Sequence, residues 1–101
     1  MEEFFTPLET TKKIEGKEGI WMTYHYEDGS VMEEGYKEYG QREGEWTSYH
    51  ITGGLWIKQD WVKGINHGKY VEYNRDGSVK REMVIDMSEE VEKKKMKENN
   101  E

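Results

Sequence analysis

The stretch 44–68, G-E-W-T-S-Y-H-I-T-G-G-L-W-I-K-Q-D-W-V-K-G-I-N-H-G, constrains the fold most, because its pattern recurs on both sides of it. Upstream, Gly19, Trp21, Tyr24, Asp28-Gly29, Tyr36 and Gly40 align with Gly44, Trp46, Tyr49, Gly53-Gly54, Trp61 and Gly64. Downstream, Gly68, Tyr70, Tyr73, Asp76-Gly77 and Val84 continue the pattern with one residue lost before the turn. The first two units start 25 residues apart and the next two 24 apart. A fixed period in the twenties marks a repeat architecture, in which each unit needs its neighbours to bury its apolar side.

Within each unit the residues read as a β-hairpin. Residues 20–26, I-W-M-T-Y-H-Y, are β-branched and aromatic, and Glu27-Asp28-Gly29-Ser30 closes the run. Asp-Gly between two such runs predicts a tight hairpin turn with positive φ at both central residues. Unit two places Gly53-Gly54 there, and unit three Asp76-Gly77. The connectors between hairpins are read as the glycine-bracketed stretches 40–44 and 64–68. One conflict stands: Trp21 and Tyr24, Trp46 and Tyr49, and Tyr70 and Tyr73 are each three apart, so strict alternation sends the two members to opposite faces. Either a bulge re-aims one ring or both faces carry aromatics. If units stack in register, Trp21, Trp46 and Tyr70 form a ladder that carries most of the stability.

The flanks differ. Residues 1–13 read as an N-terminal cap segment with Phe4, Phe5 and Leu8 as its apolar content, and Ile14 as the centre of a half-repeat strand. The repeat domain spans 14–86, with units at about 19–43, 44–67 and 68–86. Residues 87–101 are a charged tail, either a short helix or disordered, in which Asp86 and Glu89 suggest a capping box. The fold class is therefore all-β: a single elongated, twisted antiparallel sheet of about three repeated hairpins, followed by that tail.

Composition narrows the function classes. Hydrophobic residues are 33% of the 101 and charged residues 37%, too few apolar groups for two packed layers, while the 13% aromatic content supplies large rings to a single one. The net charge of −7 disfavours nucleic acid and anionic membranes as direct partners. Cysteine is absent, which removes disulfides and thiolate chemistry. No secretory leader pattern or apolar run long enough to span a bilayer is read in the sequence, so a cytoplasmic location is expected. His25 and His50 occupy equivalent positions in neighbouring hairpins, about 10 Å apart by strand spacing, too far to share a metal. No triad, carboxylate pair or phosphate-cradling loop stands out, so the chain reads as a non-enzyme without metal or cofactor. An open aromatic sheet instead suits the holding of a protein segment, on a face or along an edge. The partner-binding candidates are Trp56, Tyr26, Tyr39, His25 and His50.

The motif glycine, one residue, aromatic, two residues, tyrosine, then a turn glycine and an aromatic-Lys-Gly connector resembles the MORN repeat. It is similar in particular to the bacterial and phage variant labelled an antitoxin component of toxin–antitoxin systems. The residues carrying the likeness are Gly19, Trp21, Tyr24, Gly29, Tyr36 and Gly40; Gly44, Trp46, Tyr49, Gly54, Trp61 and Gly64; and Gly68, Tyr70, Tyr73 and Gly77. The resemblance covers residues 14–86 and implies successive hairpins in one twisted sheet, acting as an interaction scaffold. The expected function is a protein-binding module, an antitoxin or inhibitor among the forms it takes, whose partner is a basic toxin or a nucleic-acid-binding protein. An acidic decoy of a nucleic-acid-binding protein and a phospholipid-surface adaptor are the alternatives. The adaptor requires Lys12, Lys13, Lys58, Lys63 and Lys80 to gather on one face. The module is either a monomer or an edge-to-edge homodimer.

Overall fold

The computed structural model describes residues 8–99. Among them seven strands form one antiparallel sheet in strict chain order: β1 (Glu9–Lys13), β2 (Ile20–His25), β3 (Val31–Glu38), β4 (Gln41–Tyr49), β5 (Leu55–Val62), β6 (Ile65–Tyr73) and β7 (Val79–Ile85). One helix, α1 (Ser88–Asn99), follows. The sheet is a meander that does not close, and α1 is its only companion among the described elements. The Cα radius of gyration is 16.1 Å, against the ~13 Å of a compact globule of this length. The all-β reading holds, with α1 formed. The N-terminal strand lies at Glu9–Lys13, ahead of Ile14 and inside the segment read as a cap. The expectation for Phe4 and Phe5 falls outside the described residues.

Two kinds of turn alternate. On one side, Tyr26, His50 and Asn74 each donate their N–H to the carbonyl of the residue four on, at 2.8 Å. Each also accepts an N–H from a glycine three on, Gly29, Gly53 or Gly77. These are three-residue loops in which the last residue, a glycine at φ 92°, 109° or 93°, takes the left-handed conformation. The tight turn expected from Asp-Gly is thus one residue longer, and Asp28 and Asp76 instead accept the N–H and hydroxyl of Ser30 and Ser78. In unit two the left-handed residue is Gly53, whereas Gly54 has no such φ and open space around it. Gly53→Val is therefore expected to cost about 1–2 kcal/mol, a fall in Tm of roughly 4–16 °C, and Gly54→Val almost nothing. Thermal melts of the two variants followed by circular dichroism check this contrast.

On the other side, the connectors are two-residue turns at Tyr39-Gly40 (φ 53° and 77°) and Lys63-Gly64 (φ 48° and 82°), shorter than the glycine-bracketed stretches suggest. Gly44 and Gly68 consequently belong to β4 and β6. There they take positive φ, 84° and 122°, beside the register shifts that face Gly35 and Asp60. Asp60 accepts the N–H of Lys69 at 3.0 Å across one of these bulges.

Pairing fixes the period at 24 throughout. Met22 pairs with Gly35, Trp46 with Gln59, and Tyr70 with Met83. The sequence match of Trp21 to Trp46 is out of phase with this by one residue, because the first hairpin carries an extra residue between Tyr24 and its turn. In a strand a one-residue slip exchanges the faces. Trp21 therefore lies on the face opposite Trp46 and Tyr70, and the Trp21–Trp46–Tyr70 ladder does not form. Its place is taken by Met22, Trp46 and Tyr70, with Gly35 and Gln59 between them and Met83 beyond Tyr70 on the last strand. Tyr24 and Tyr49 separate from Trp21 and Trp46 respectively, so the three-residue spacing is resolved by aromatics on both faces.

The core sits on the Trp46 face. Trp46 is 2% exposed, its indole lies flat over Gly35, and its Nε1 donates to the Tyr36 carbonyl at 3.0 Å. Tyr24 packs beside it, with ring centroids 6.2 Å apart. The Arg42 guanidinium is 4.0 Å from the Trp46 ring and 5.0 Å from the Trp61 ring, and it is paired with Glu33 at 2.6 Å. A planar cation held between two indoles and neutralised by a carboxylate replaces the second layer that the sheet lacks.

Helix α1 packs against β6. Val91, the apolar residue of its inner side, is 5% exposed. The Lys94 ammonium donates to the Lys63 carbonyl at 2.5 Å, and Lys63 pairs with Glu98 at 2.7 Å. At the helix start Asp86 accepts the backbone N–H and hydroxyl of Ser88, so the cap runs through Ser88, and His67 Nδ1 accepts the Met87 N–H at 2.9 Å.

Candidate functional site: an aromatic turn edge and a grooved face

The three-residue loops line one end of the strands and the two-residue turns the other. This sorts the candidate residues. His25, Tyr26, His50 and Trp56 fall together on the three-residue-loop side, whereas Tyr39 stands at the opposite end in the β3–β4 turn, 80% exposed. Trp56 stacks on His50, with centroids 5.6 Å apart and planes 28° from parallel, and is 39% exposed. His50 Nε2 is buried without a hydrogen-bond partner. The other two are already engaged: Tyr26 donates its hydroxyl to the Tyr49 carbonyl at 2.6 Å, and the His25 ring contacts the Gly29 carbonyl at 3.1 Å and Thr10 Oγ1 at 3.3 Å. This edge presents one ring pair, His50–Trp56, with Ile51 beside it in the loop.

The Trp21 face offers more. Glu34 anchors it, accepting Trp21 Nε1 on one carboxylate oxygen at 3.2 Å and the Tyr49 hydroxyl on the other at 2.8 Å. Burial, followed by the hydrogen bond and charge of Glu34, pushes the Tyr49 phenol up to about 12, so the hydroxyl stays a donor through the ordinary pH range. Tyr36 accepts the Gly19 N–H at 2.9 Å and donates to Glu38 at 3.0 Å, while the Lys17 ammonium lies 5.4 Å from its ring centre. Burial leads in raising its phenol too. Trp21 and Tyr36 are thus held in place, the one by Glu34 and the other by Gly19 and Glu38.

Between them lies a hollow of about 570 Å³, lined by Ile14, Lys17, Trp21, Tyr36, Glu38, Glu43, Gly44 and Glu45. Towards β1 it meets a second hollow, of about 530 Å³, which shares Ile14 and Trp21 and adds Lys12, Lys13 and Glu15. Towards β7 it meets a third, of about 260 Å³, which shares Glu45 and adds Lys58, Asp60, Lys69, Val71, Tyr73, Val79 and Glu82. The three adjoin along the sheet from β1 to β7, as a groove that crosses the strands. Its charge runs from basic at Lys12 and Lys17, through acidic at Glu38, Glu43 and Glu45, to mixed at the far end.

No family model, curated protein or solved structure matches this chain. The site must be read from its own chemistry. Among the described residues no group of three or more His, Cys, Asp or Glu is placed to hold a metal ion, and no helix is long and apolar enough to cross a membrane. The lysines named for a lipid surface do not gather. Register and alternation put Lys12 and Lys58 on the Trp21 face among Glu34, Glu45, Asp60 and Glu82 and Lys13 on the other face, while Lys80 sits at the β6–β7 bulge, 3.7 Å from Glu72, and Lys63 in a turn.

Sequence reasoning missed the Trp21–Tyr36 hollow because it treated Trp21 as a core residue equivalent to Trp46. The clue was present in the extra residue before Gly29, which breaks the period inside the first hairpin.

Proposed function

We propose that this protein is a protein-binding module that takes a segment of its partner along the groove of the Trp21 face. The observation that carries the reading is the row of three adjoining hollows on one face of a sheet with no second layer. Sheets bury their apolar side against another element, and large open apolar surface rimmed by polar groups marks an interaction site. Ile14, Trp21 and Tyr36 supply the apolar floor. Glu38, Glu43 and Glu45 select a partner segment with basic residues, which agrees with the interaction-scaffold role that the MORN resemblance implies and with an inhibitor or antitoxin of a basic protein. Trp21, hydrogen-bonded to Glu34, and Tyr36, hydrogen-bonded to Gly19 and Glu38, lose little entropy on binding, which favours them as anchors.

A photo-crosslinking amino acid placed at Glu45, inside the groove, and separately at Lys37, on the opposite face, tests this in cells of the protein's own host. The expected result is one protein adduct from position 45 and none from position 37. Equal labelling from both positions, or adducts from 37 alone, counts against the groove.

A further inference from the structure

The middle hollow of the groove, about 570 Å³, gathers three carboxylates, Glu38, Glu43 and Glu45, and one ammonium, Lys17, around Trp21 and Tyr36. Among the described residues no ion pair reaches any of the three carboxylates. Glu38 and Glu43 are each held through one oxygen, by the Tyr36 hydroxyl and the Lys63 N–H. Lys63 turns its ammonium to Glu98, at 2.7 Å. Glu45 is exposed, and the residue directly opposite it across β4–β5 is Asp60, a like charge. It also borders the third hollow with Lys58 and Lys69, neither of which pairs with it.

The opposite face shows how this chain holds a cation firmly. The Arg42 guanidinium lies 4.0 Å from the Trp46 ring and 5.0 Å from the Trp61 ring. It gives two N–H bonds to the two oxygens of Glu33, at 2.6 and 3.4 Å. The hollow repeats these parts: Trp21 and Tyr36 are directly opposed in the β2–β3 register, carboxylates stand beside them, and a cation lies over a ring. That cation is Lys17, which is exposed, enters no ion pair among the described residues and stays 5.4 Å from the Tyr36 ring centre. An ammonium is a strongly hydrated point charge, whereas a guanidinium is planar, less hydrated and able to stack.

We infer that this hollow is the seat for one arginine side chain of the partner segment, and that Lys17 is an internal stand-in which the arginine displaces. The guanidinium stacks over Tyr36 beside Trp21, where Lys17 lies in the free protein, and gives two N–H bonds to Glu45, the carboxylate without a partner of its own. Arginine sheds less hydration than the ammonium it replaces and stacks more closely, so the exchange favours it. A partner lysine would only substitute one ammonium for another and gains little. The inference rests on the groove reading above and adds to it the residue that the middle of the groove recognises.

The test is a titration of the isotope-labelled full chain, whose four tryptophans give four indole N–H signals in a nuclear magnetic resonance spectrum. The probe is the amide of α-acetylated arginine, compared with the matching lysine amide and with the amide of citrulline, the neutral isostere. The arginine probe is expected to shift the Trp21 signal saturably and to leave those of Trp46 and Trp61, on the other face, in place. The lysine amide is expected to bind more weakly and the citrulline amide not at all. Lys17→Ala empties the seat and is expected to tighten arginine binding about two- to fivefold, the worth of an exposed cation–π contact. Lys12→Ala removes the same charge from the neighbouring hollow and is expected to change it little. Glu45→Gln is expected to weaken binding about two- to fivefold with an unchanged circular dichroism spectrum. No shift at Trp21, equal binding of the arginine and lysine amides, or equal gains from Lys17→Ala and Lys12→Ala overturns the seat. The groove is judged apart from it: a host-cell adduct at position 45 together with no arginine binding leaves the groove standing and removes the seat.

Discussion

Trp46→Ala is expected to leave the protein largely unfolded at room temperature. The indole is the one fully buried large side chain among the described residues, and it serves four neighbours at once. Its face covers Gly35, its edge meets Tyr24, its Nε1 binds the Tyr36 carbonyl, and its ring carries the Arg42 guanidinium. Removing a buried tryptophan costs about 3–5 kcal/mol. Here the loss also strips one side from Arg42 and leaves the cation partly unsupported over Trp61. A single-layer domain of this size sits towards the low end of the usual ~5–15 kcal/mol. Urea unfolding of Trp46→Ala, Trp46→Phe and Trp56→Ala checks the argument. Trp46→Phe keeps a ring but loses the hydrogen bond and is expected to fall between wild type and alanine. Trp56→Ala, at an exposed ring, is expected to shift the midpoint least. A Trp46→Ala midpoint equal to that of wild type would show that the core lies elsewhere.

The second large effect is expected at Gly35, where the constraint is space rather than torsion. Its φ lies outside the left-handed region, yet a Cβ there would sit 2.2 Å from Trp46 Cδ2 and 2.4 Å from Cε2 and Cγ. Ring atoms of a buried indole cannot yield by that much without displacing Tyr24 and Arg42. Overpacking of this kind costs about 1–3 kcal/mol or more, and valine should exceed alanine. The informative variant is the double one. With Trp46→Ala the space over residue 35 opens, so Gly35→Val on that background is expected to cost far less than on wild type, as contacting residues couple by about 0.5–3 kcal/mol. Equal cost on both backgrounds would mean that the clash with Trp46 is not what excludes a side chain. Denaturant melts of the two singles and the double measure the coupling.

Much of the architecture was legible from residue types. Gly29, Gly53 and Gly77 at the ends of aromatic and β-branched runs specify hairpins locally, and the shift from Tyr-rich runs to Glu and Lys after Asp86 marks where the sheet ends and α1 begins. The turns at Tyr39-Gly40 and Lys63-Gly64 were placed late because neither Tyr nor Lys is a usual residue at positive φ; only the pairing across β3–β4 and β5–β6 imposes it. Of the aromatic candidates, Trp56 and His50 stack at one loop, whereas Tyr39 stands at the opposite end of the strands, in the turn with Gly40. The Trp21–Tyr36 hollow was hidden for a different reason. Likeness of residue type aligned Trp21 with Trp46, and the alignment was wrong by one position.

By itself, then, the sequence determined the hairpin repeat, its all-β character and the single-layer sheet, because turn glycines, β-branched runs and scarce apolar content act over a few residues each. Which rings became core and which line the groove was decided only by the tertiary structure. Side chains on a strand alternate with period two, so one extra residue in the first hairpin moves a whole strand's aromatics to the other face. That choice of register is made by pairing with residues a dozen or more positions away, where local preference has no reach.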